Sequence, residues 1–213
     1  MAITNGNTTL VDIKARLAII DTIDDAALEL AVNAASRRID AYCGQRFYQD
    51  ATVQAREFYP ADPVTLDFTY AEPGEPRDGI STATGLIVKI DTDNDGTFET
   101  TLTSGTDFLL TPRNAATRTP VWPYTGLRLI TSSLWYFPRP YYGRPSVQVT
   151  AKWGWPAVPD DVTQACMIFA VDLFKSKDAP FGVAGSTDFG VLRVQDNRQA
   201  KALLDTYRMA AVG

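Results

Sequence analysis

The 213-residue chain contains no histidine. That absence removes Ser-His-Asp and Cys-His nucleophilic catalysis, the HExxH zinc motif and most transition-metal sites together. Cysteine is nearly as scarce. Cys43 and Cys166 lie in separate helical patterns without CxxC spacing, which excludes a disulfide scaffold and reads as two buried structural thiols. No apolar run approaches the roughly 18 residues of a membrane helix, and the opening MAITNGNTTL lacks the basic flank and apolar stretch of a signal peptide. The expectation is a soluble product made in the cytoplasm, with no membrane partner. Basic residues are outnumbered 20 to 25, and the net charge of -5 is the wrong sign for a protein that works by gripping phosphates. No Gly-rich phosphate loop is present, and GSTD at 185–188 lacks the GxSxG frame of a nucleophile elbow. The acidic pairs Asp24/Asp25 and Asp160/Asp161 stand where helices start, which accounts for them without catalysis. The reading is that the chain is not an enzyme and uses no cofactor.

What is present suffices for folding: 45% hydrophobic and 21% charged residues allow one substantial core or two small ones. Thr9 and Asp12 have capping-box spacing, followed by Leu10, Ile13 and Leu17 at helical intervals. A second start at Thr22 to Asp25 leads into the stripe Leu28, Ala31, Val32, Ala35, Ile39 and Tyr42, closed by Gly44. A third helix is expected from Pro159–Asp161, with Val162, Ala165, Cys166, Phe169 and Leu173 inward and Lys175 and Lys177 at its end. Asp196 and Gln199 open a fourth, lined by Ala200, Leu203, Leu204 and Tyr207.

Between Thr52 and Trp153 the character changes. Ten of the thirteen prolines fall there, among the short β-type runs VQAREFY, TLDFTY, GLIVKI, TFETTL, DFLL, GLRLIT and SVQVTAKW. Ala71 to Thr84 reads as a long loop. The fold class is therefore α+β: a small helical bundle built from residues 1–51 and 154–213, with an antiparallel β-sandwich or barrel-like domain inserted at 52–153.

Three segments are candidate sites. Asp91, Asp93 and Asp95, followed by Gly96 and Glu99, reproduce the first half of a calcium loop, but Leu102 stands where an EF-hand needs its bidentate Glu and the flanks read as strands. The other reading is a tight hairpin turn. The loop DAPFGVAGSTDFG offers Phe181, Gly182, Val183 and Phe189 as partner contacts, or else folds back on the bundle as a hairpin. YFPRPYYGRP at 136–145 interleaves Arg139 and Arg144 with aromatic rings, a pattern that stacks on bases or sugars or packs at a sheet edge.

The segments AASRRIDAYCGQRFY (34–48), WGWPAVPDDVTQACMIFAVDLFKSKDAPFG (153–182) and NRQAKALLDTYR (197–208) together resemble the head-tail connector (adaptor, head completion) proteins of tailed bacteriophages and related proteins of gene transfer agents. The run from WGWPAVPDDV to APFG is the most specific part, and IDTDNDGTFET, GTDFLL and the PRNA turn resemble the β insertion of longer members. The resemblance implies a structural virion neck protein. It would form a ring, typically of twelve copies, beneath the portal vertex, and its partners would be the portal protein, a stopper or tail-completion protein, and itself. DNA would pass through the ring's channel without sequence-specific binding. Tyr207 and Arg208, at the end of the third segment, join the loop residues as candidate partner contacts. A β-sandwich module binding carbohydrate or a surface through Trp122, Tyr124 and Trp135 is the alternative from another class, and an enzyme with an unusual carboxylate site is the third.

Overall fold

The structure is a computed structural model that describes residues 2–69, 78–130, 135–139, 143–176 and 197–209. The chain divides into two compact units, one made of Met1–Tyr48 and Val158–Gly213, the other of Gln49–Ala157. The inserted unit is three residues longer at its start and four at its end than the boundaries read from the sequence. The pairing of Gln49 with Gly154, the Asp50 N–H donated to the Trp153 carbonyl at 2.8 Å, and the packing of Trp155 on Trp122 account for the difference.

The first unit is helical. Helix α1 (Leu10–Leu17) starts where Thr9 Oγ1 accepts from the Asp12 N–H at 3.1 Å and donates to the Asp12 carboxylate at 2.6 Å, and it ends at Ala18 in the left-handed region. Helix α2 (Asp25–Cys43) buries Leu28, Ala31, Val32, Ala35, Ser36 and Ile39 and stops at Gly44, whose left-handed φ of 69° glycine adopts without strain. Its last inward residue is Cys43; Tyr42, which completes the stripe in the sequence, is only half-buried. Helix α3 (Asp160–Lys175) packs Val162, Ala165, Cys166, Ile168 and Phe169 inward. Helix α4 (Arg198–Leu204) is capped by Asn197, whose side chain accepts from the Ala200 N–H at 3.2 Å, and continues as a single 3-10 turn at Asp205–Tyr207. The cap is thus one residue later than the Asp196 start read from the sequence, because an Asn carbonyl serves the third amide as well as a carboxylate does. Each fully buried aliphatic side chain here, such as Ile13, Leu28 or Ile39, contributes about 1.5–3 kcal/mol.

The second unit is a pair of antiparallel sheets. Strands β1 (Gln54–Phe58), β2 (Thr65–Asp67), β3 (Ile80–Ile90), β4 (Thr100–Leu102), β5 (Phe108–Thr111), β6 (Gly126–Leu129) and β7 (Val147–Trp153) form the sheets β1-β7-β3-β4 and β2-β6-β5. Strand β7 shows why: Val147, Val149, Ala151 and Trp153 are buried while the residues between them are half-buried, the period-2 pattern of a central strand with one core face. That face meets Leu66, Phe68, Val88, Ile90, Phe108, Leu127 and Leu129 from the other strands in one core cluster. The result is a sandwich; no closed barrel forms among the described residues.

All seven β-type runs contain a strand, and several of them change in extent. Strand β3 begins at Ile80, inside the segment read as loop, because Ile80 exchanges both backbone bonds with Tyr124 (2.7 and 2.8 Å) and Ser81 donates to the Lys152 carbonyl. Its register against β7 shifts between Thr82 and Ile87, around Gly85 at φ 78°, so no clean alternation marks it in the sequence. Strand β4 is shorter than TFETTL because Thr97 and Glu99 bond within the preceding turn.

Candidate functional site

The acidic turn joins β3 to β4, which pair at Val88–Leu102, Lys89–Thr101 and Ile90–Thr100. Strands on both sides rule out an EF-hand. Carboxylate oxygens of Asp91, Asp93 and Glu99 come within 4.8 Å of one another. Asp95, the third carboxylate of the sequence pattern, is not in that group; its Oδ1 accepts from the Thr97 N–H at 2.6 Å. The cluster is internally bonded. Buried Asp91 accepts from the Gly96 N–H at 2.8 Å and the Asp95 N–H at 3.3 Å, and Asp93 accepts from the Asp95 N–H at 3.2 Å. Glu99 accepts from both the N–H and the hydroxyl of Thr92, which holds its carboxyl below the ordinary value. Arg144 donates to the Asp95 carbonyl at 2.6 Å, so this arginine of the aromatic-proline segment braces the turn. Such an arrangement needs no ion to close.

The aromatic residues proposed to bind a surface divide. Trp122 packs on Trp155 with ring centroids 4.9 Å apart and planes tilted by 51°, and Tyr124 packs against the core cluster while bonding Ile80. Trp135 and Tyr136 are exposed and Phe137 is buried. No flat aromatic platform is built from Trp122 and Tyr124.

In the helical unit, Tyr207 is buried. Its ring edge meets Phe47 with centroids 5.8 Å apart, its hydroxyl donates to Asp161 at 3.4 Å, and its carbonyl accepts from the Gln45 amide. Burial and then the Asp161 carboxylate push its phenol above the ordinary value. Arg208 is exposed, its guanidinium 5.0 Å from the Tyr42 ring, and Tyr42 donates to Asp205 at 2.7 Å, a bond that raises the Tyr42 pKa. The Met209 N–H donated to the Cys43 carbonyl at 2.9 Å closes this set, so the end of α2 and the segment after α4 form one surface. Phe181, Gly182, Val183 and Phe189 lie outside the described residues.

One feature escaped the sequence reading. Ala27, Leu30, Ala31 and Ala34 of α2, with Leu173 and Phe174 of α3, line an apolar groove of about 290 Å³. The signal was a second stripe on α2, Ala27, Leu30 and Ala34 at helical spacing, set beside the stripe that fills the core. Alanine is common on either face of a helix, which hid it.

Residues 7–104 match the family described as Phage gp6-like head-tail connector protein. The match runs from the helical unit through β4, whereas the segments 153–182 and 197–208 that carried much of the resemblance lie beyond it. Three solved structures share the fold over the entire chain. These are the neck of an empty GTA particle computed with C6 symmetry (15% identity, TM-score 0.56, 95% of that chain), the virion of a native gene transfer agent particle (17%, 0.52, 95%) and the neck of a native GTA particle computed with C12 symmetry (16%, 0.51, 94%). No curated protein matches. Residues 7–104 thus match the connector family, and the whole chain shares its fold with chains of gene transfer agent particles.

Proposed function

We propose that the chain is a structural virion neck protein that joins head to tail by assembling into a closed ring around the DNA channel. The observation that carries this is the connector-family match at 7–104, which crosses from one unit into the other, on a fold shared from end to end with particle-neck chains. Among the described residues no helix is long and apolar enough to cross a membrane, in keeping with a place in the particle. The ring sits between the portal protein and a stopper or tail-completion protein, and it performs no turnover. The C6 and C12 symmetries of the similar necks favour twelve copies, or six pairs. Arg208, on the surface that Tyr207 anchors, and Phe181, Gly182, Val183 and Phe189 are the docking residues of this reading. The turn at Asp91, Asp93 and Asp95 is structural and binds no calcium.

Light scattering of concentrated full-length protein, with negative-stain imaging, tests the reading. Rings with a central hole, alone or on added portal protein, are expected; a chain that stays monomeric in both conditions would overturn it. The carbohydrate-binding alternative gains nothing from the inward packing of Trp122 and Tyr124.

A further inference from the structure

Residues 2–8 lie along α2 and are held through their backbone. The Thr4 N–H donates to Asn33 Oδ1 at 3.0 Å, the Ala2 carbonyl accepts from Asn33 Nδ2 at 3.3 Å, the Asn5 carbonyl accepts from Arg37 at 2.8 Å, and the Asn7 N–H donates to Ser36 Oγ at 2.9 Å. The approach is close: a Cβ on Gly6 would collide with the Ile3 side chain. The Ser36 hydroxyl in turn donates to the Val32 carbonyl at 2.8 Å and lies 3.5 Å from Cys166 Sγ. Asn7 therefore stands where the segment, α2 and α3 meet. It is 2% exposed, with Thr8 beside it at 5%.

Backbone groups of the segment find partners on α2; its two buried side chains do not. Asn7 Oδ1, Asn7 Nδ2 and Thr8 Oγ1 are all buried, and none meets a hydrogen-bond partner among the described residues. Turning the Asn7 amide over exchanges its oxygen and nitrogen but leaves both unpartnered. The β unit holds no such atom among its described residues. Buried amides and hydroxyls without partners are costly enough that folded chains nearly always satisfy them, frequently with ordered water. We propose that this seam is hydrated from within: ordered water bound at the Asn7 amide and the Thr8 hydroxyl fastens the N-terminal segment to α2 and α3. The donor set selects the ligand. An amide and a hydroxyl offer donors and acceptors together, which a water answers in both senses. A cation would meet the Nδ2 protons and an anion the Oδ1 lone pairs, and each would leave half the set opposed.

High-resolution crystallography and solution NMR of the full-length chain test this. The expected result is ordered water within roughly 3.2 Å of the Asn7 amide and of the Thr8 hydroxyl, with Overhauser contacts from the Asn7 side-chain amide protons to a long-lived water. Side chains bonded to protein groups instead, with no water at either, overturn it. Asn7→Leu supplies a second measurement through the urea midpoint of the helical unit, read by helical circular dichroism. A leucine of similar size expels the water and strands its remaining partners, so the midpoint should fall by about 0.5 M or more. An Asn7 amide that is simply unpartnered gives the opposite sign, since leucine relieves it; a midpoint that rises or stays put overturns the proposal. The map and spectrum of the unchanged chain decide the matter where the variant fails to fold. Neither outcome touches the neck reading, which names no residue of this seam.

Discussion

At the scale of single residues, Asp91 is a buried carboxylate each of whose oxygens already accepts a hydrogen bond. Its two oxygens accept from the backbone N–H groups of Gly96 and Asp95, and Asn94 (φ 61°) and Gly96 (φ 97°) take the left-handed conformations that bring those donors round. Replacing Asp91 with Ala leaves both donors without this acceptor and should cost about 1–3 kcal/mol, read from the denaturant midpoint. Millimolar calcium should move the melting temperature of the unchanged protein by no more than about a degree, since only an ion that binds the folded state raises it. The two thiols make a second case. Burial pushes Cys166 up to about 11 and Cys43 to about 12, from an ordinary 9.0. Folded values above unfolded ones mean that this contribution is complete below about pH 9 and is lost as pH rises through 11 and 12. Denaturant midpoints at pH 8 and pH 11 should therefore fall in that order, and a thiol reagent at pH 8 should leave both cysteines unmodified until the chain unfolds. The sequence hinted at the buried thiols through their helical stripes, but it could not show that Glu99 rather than Asp95 joins Asp91 and Asp93, because that depends on how the turn folds back.

At the scale of elements, legibility followed the range of the interaction that defines each one. Thr9 caps its helix through a residue three positions away and Gly44 ends one through its own φ, so both were visible in the sequence. The start of β3 was not, because Ile80 is held by Tyr124, 44 residues further on. The α2–α3 groove was hidden for a different reason: its floor is alanine, which carries little hydrophobic signal. Long-range pairing also makes some glycines irreplaceable without any left-handed φ. A Cβ on Gly126 would lie 2.5 Å from the Leu66 carbonyl oxygen, a backbone atom that cannot move without breaking the pairing of β2 with β6. Gly126→Ala should destabilise the β unit by about 1–3 kcal/mol through overpacking. Gly105→Ala is the control: nothing lies within 4 Å of its added Cβ, and its cost should be limited to the strain of φ 83°, about 1 kcal/mol. Thermal unfolding of the two variants side by side separates the clash from the conformational cost.

At the scale of the whole molecule, the question is how a bundle tolerates about half its chain inserted between two of its helices. The β unit answers it from within. Among the described residues its core cluster, from Leu66 to Trp153, draws on none outside 49–157, and its ends are tied together where Gln49 bridges Gly154 and the Asp50 N–H meets the Trp153 carbonyl. An insertion that leaves and returns at neighbouring points asks of its host only a short gap, which is the condition under which domain insertion succeeds. Near its ends the unit also carries its own polar anchor: Arg56 pairs with buried Asp78 at 3.0 Å and lies 4.3 Å over the Trp153 ring, while Trp153 donates its indole N–H to the Gln54 carbonyl at 2.8 Å. Residues 49–157 produced alone should therefore fold, with a β-type circular dichroism spectrum, a cooperative melt, and tryptophan emission that shifts to longer wavelength on unfolding as the buried Trp153 and Trp155 are exposed. A fragment that melts without cooperativity would mean that the sandwich draws stability from the helical unit. Cooperative melting would mean instead that the β unit is stable by itself, so that surface residues of the helical unit can be altered without disturbing it.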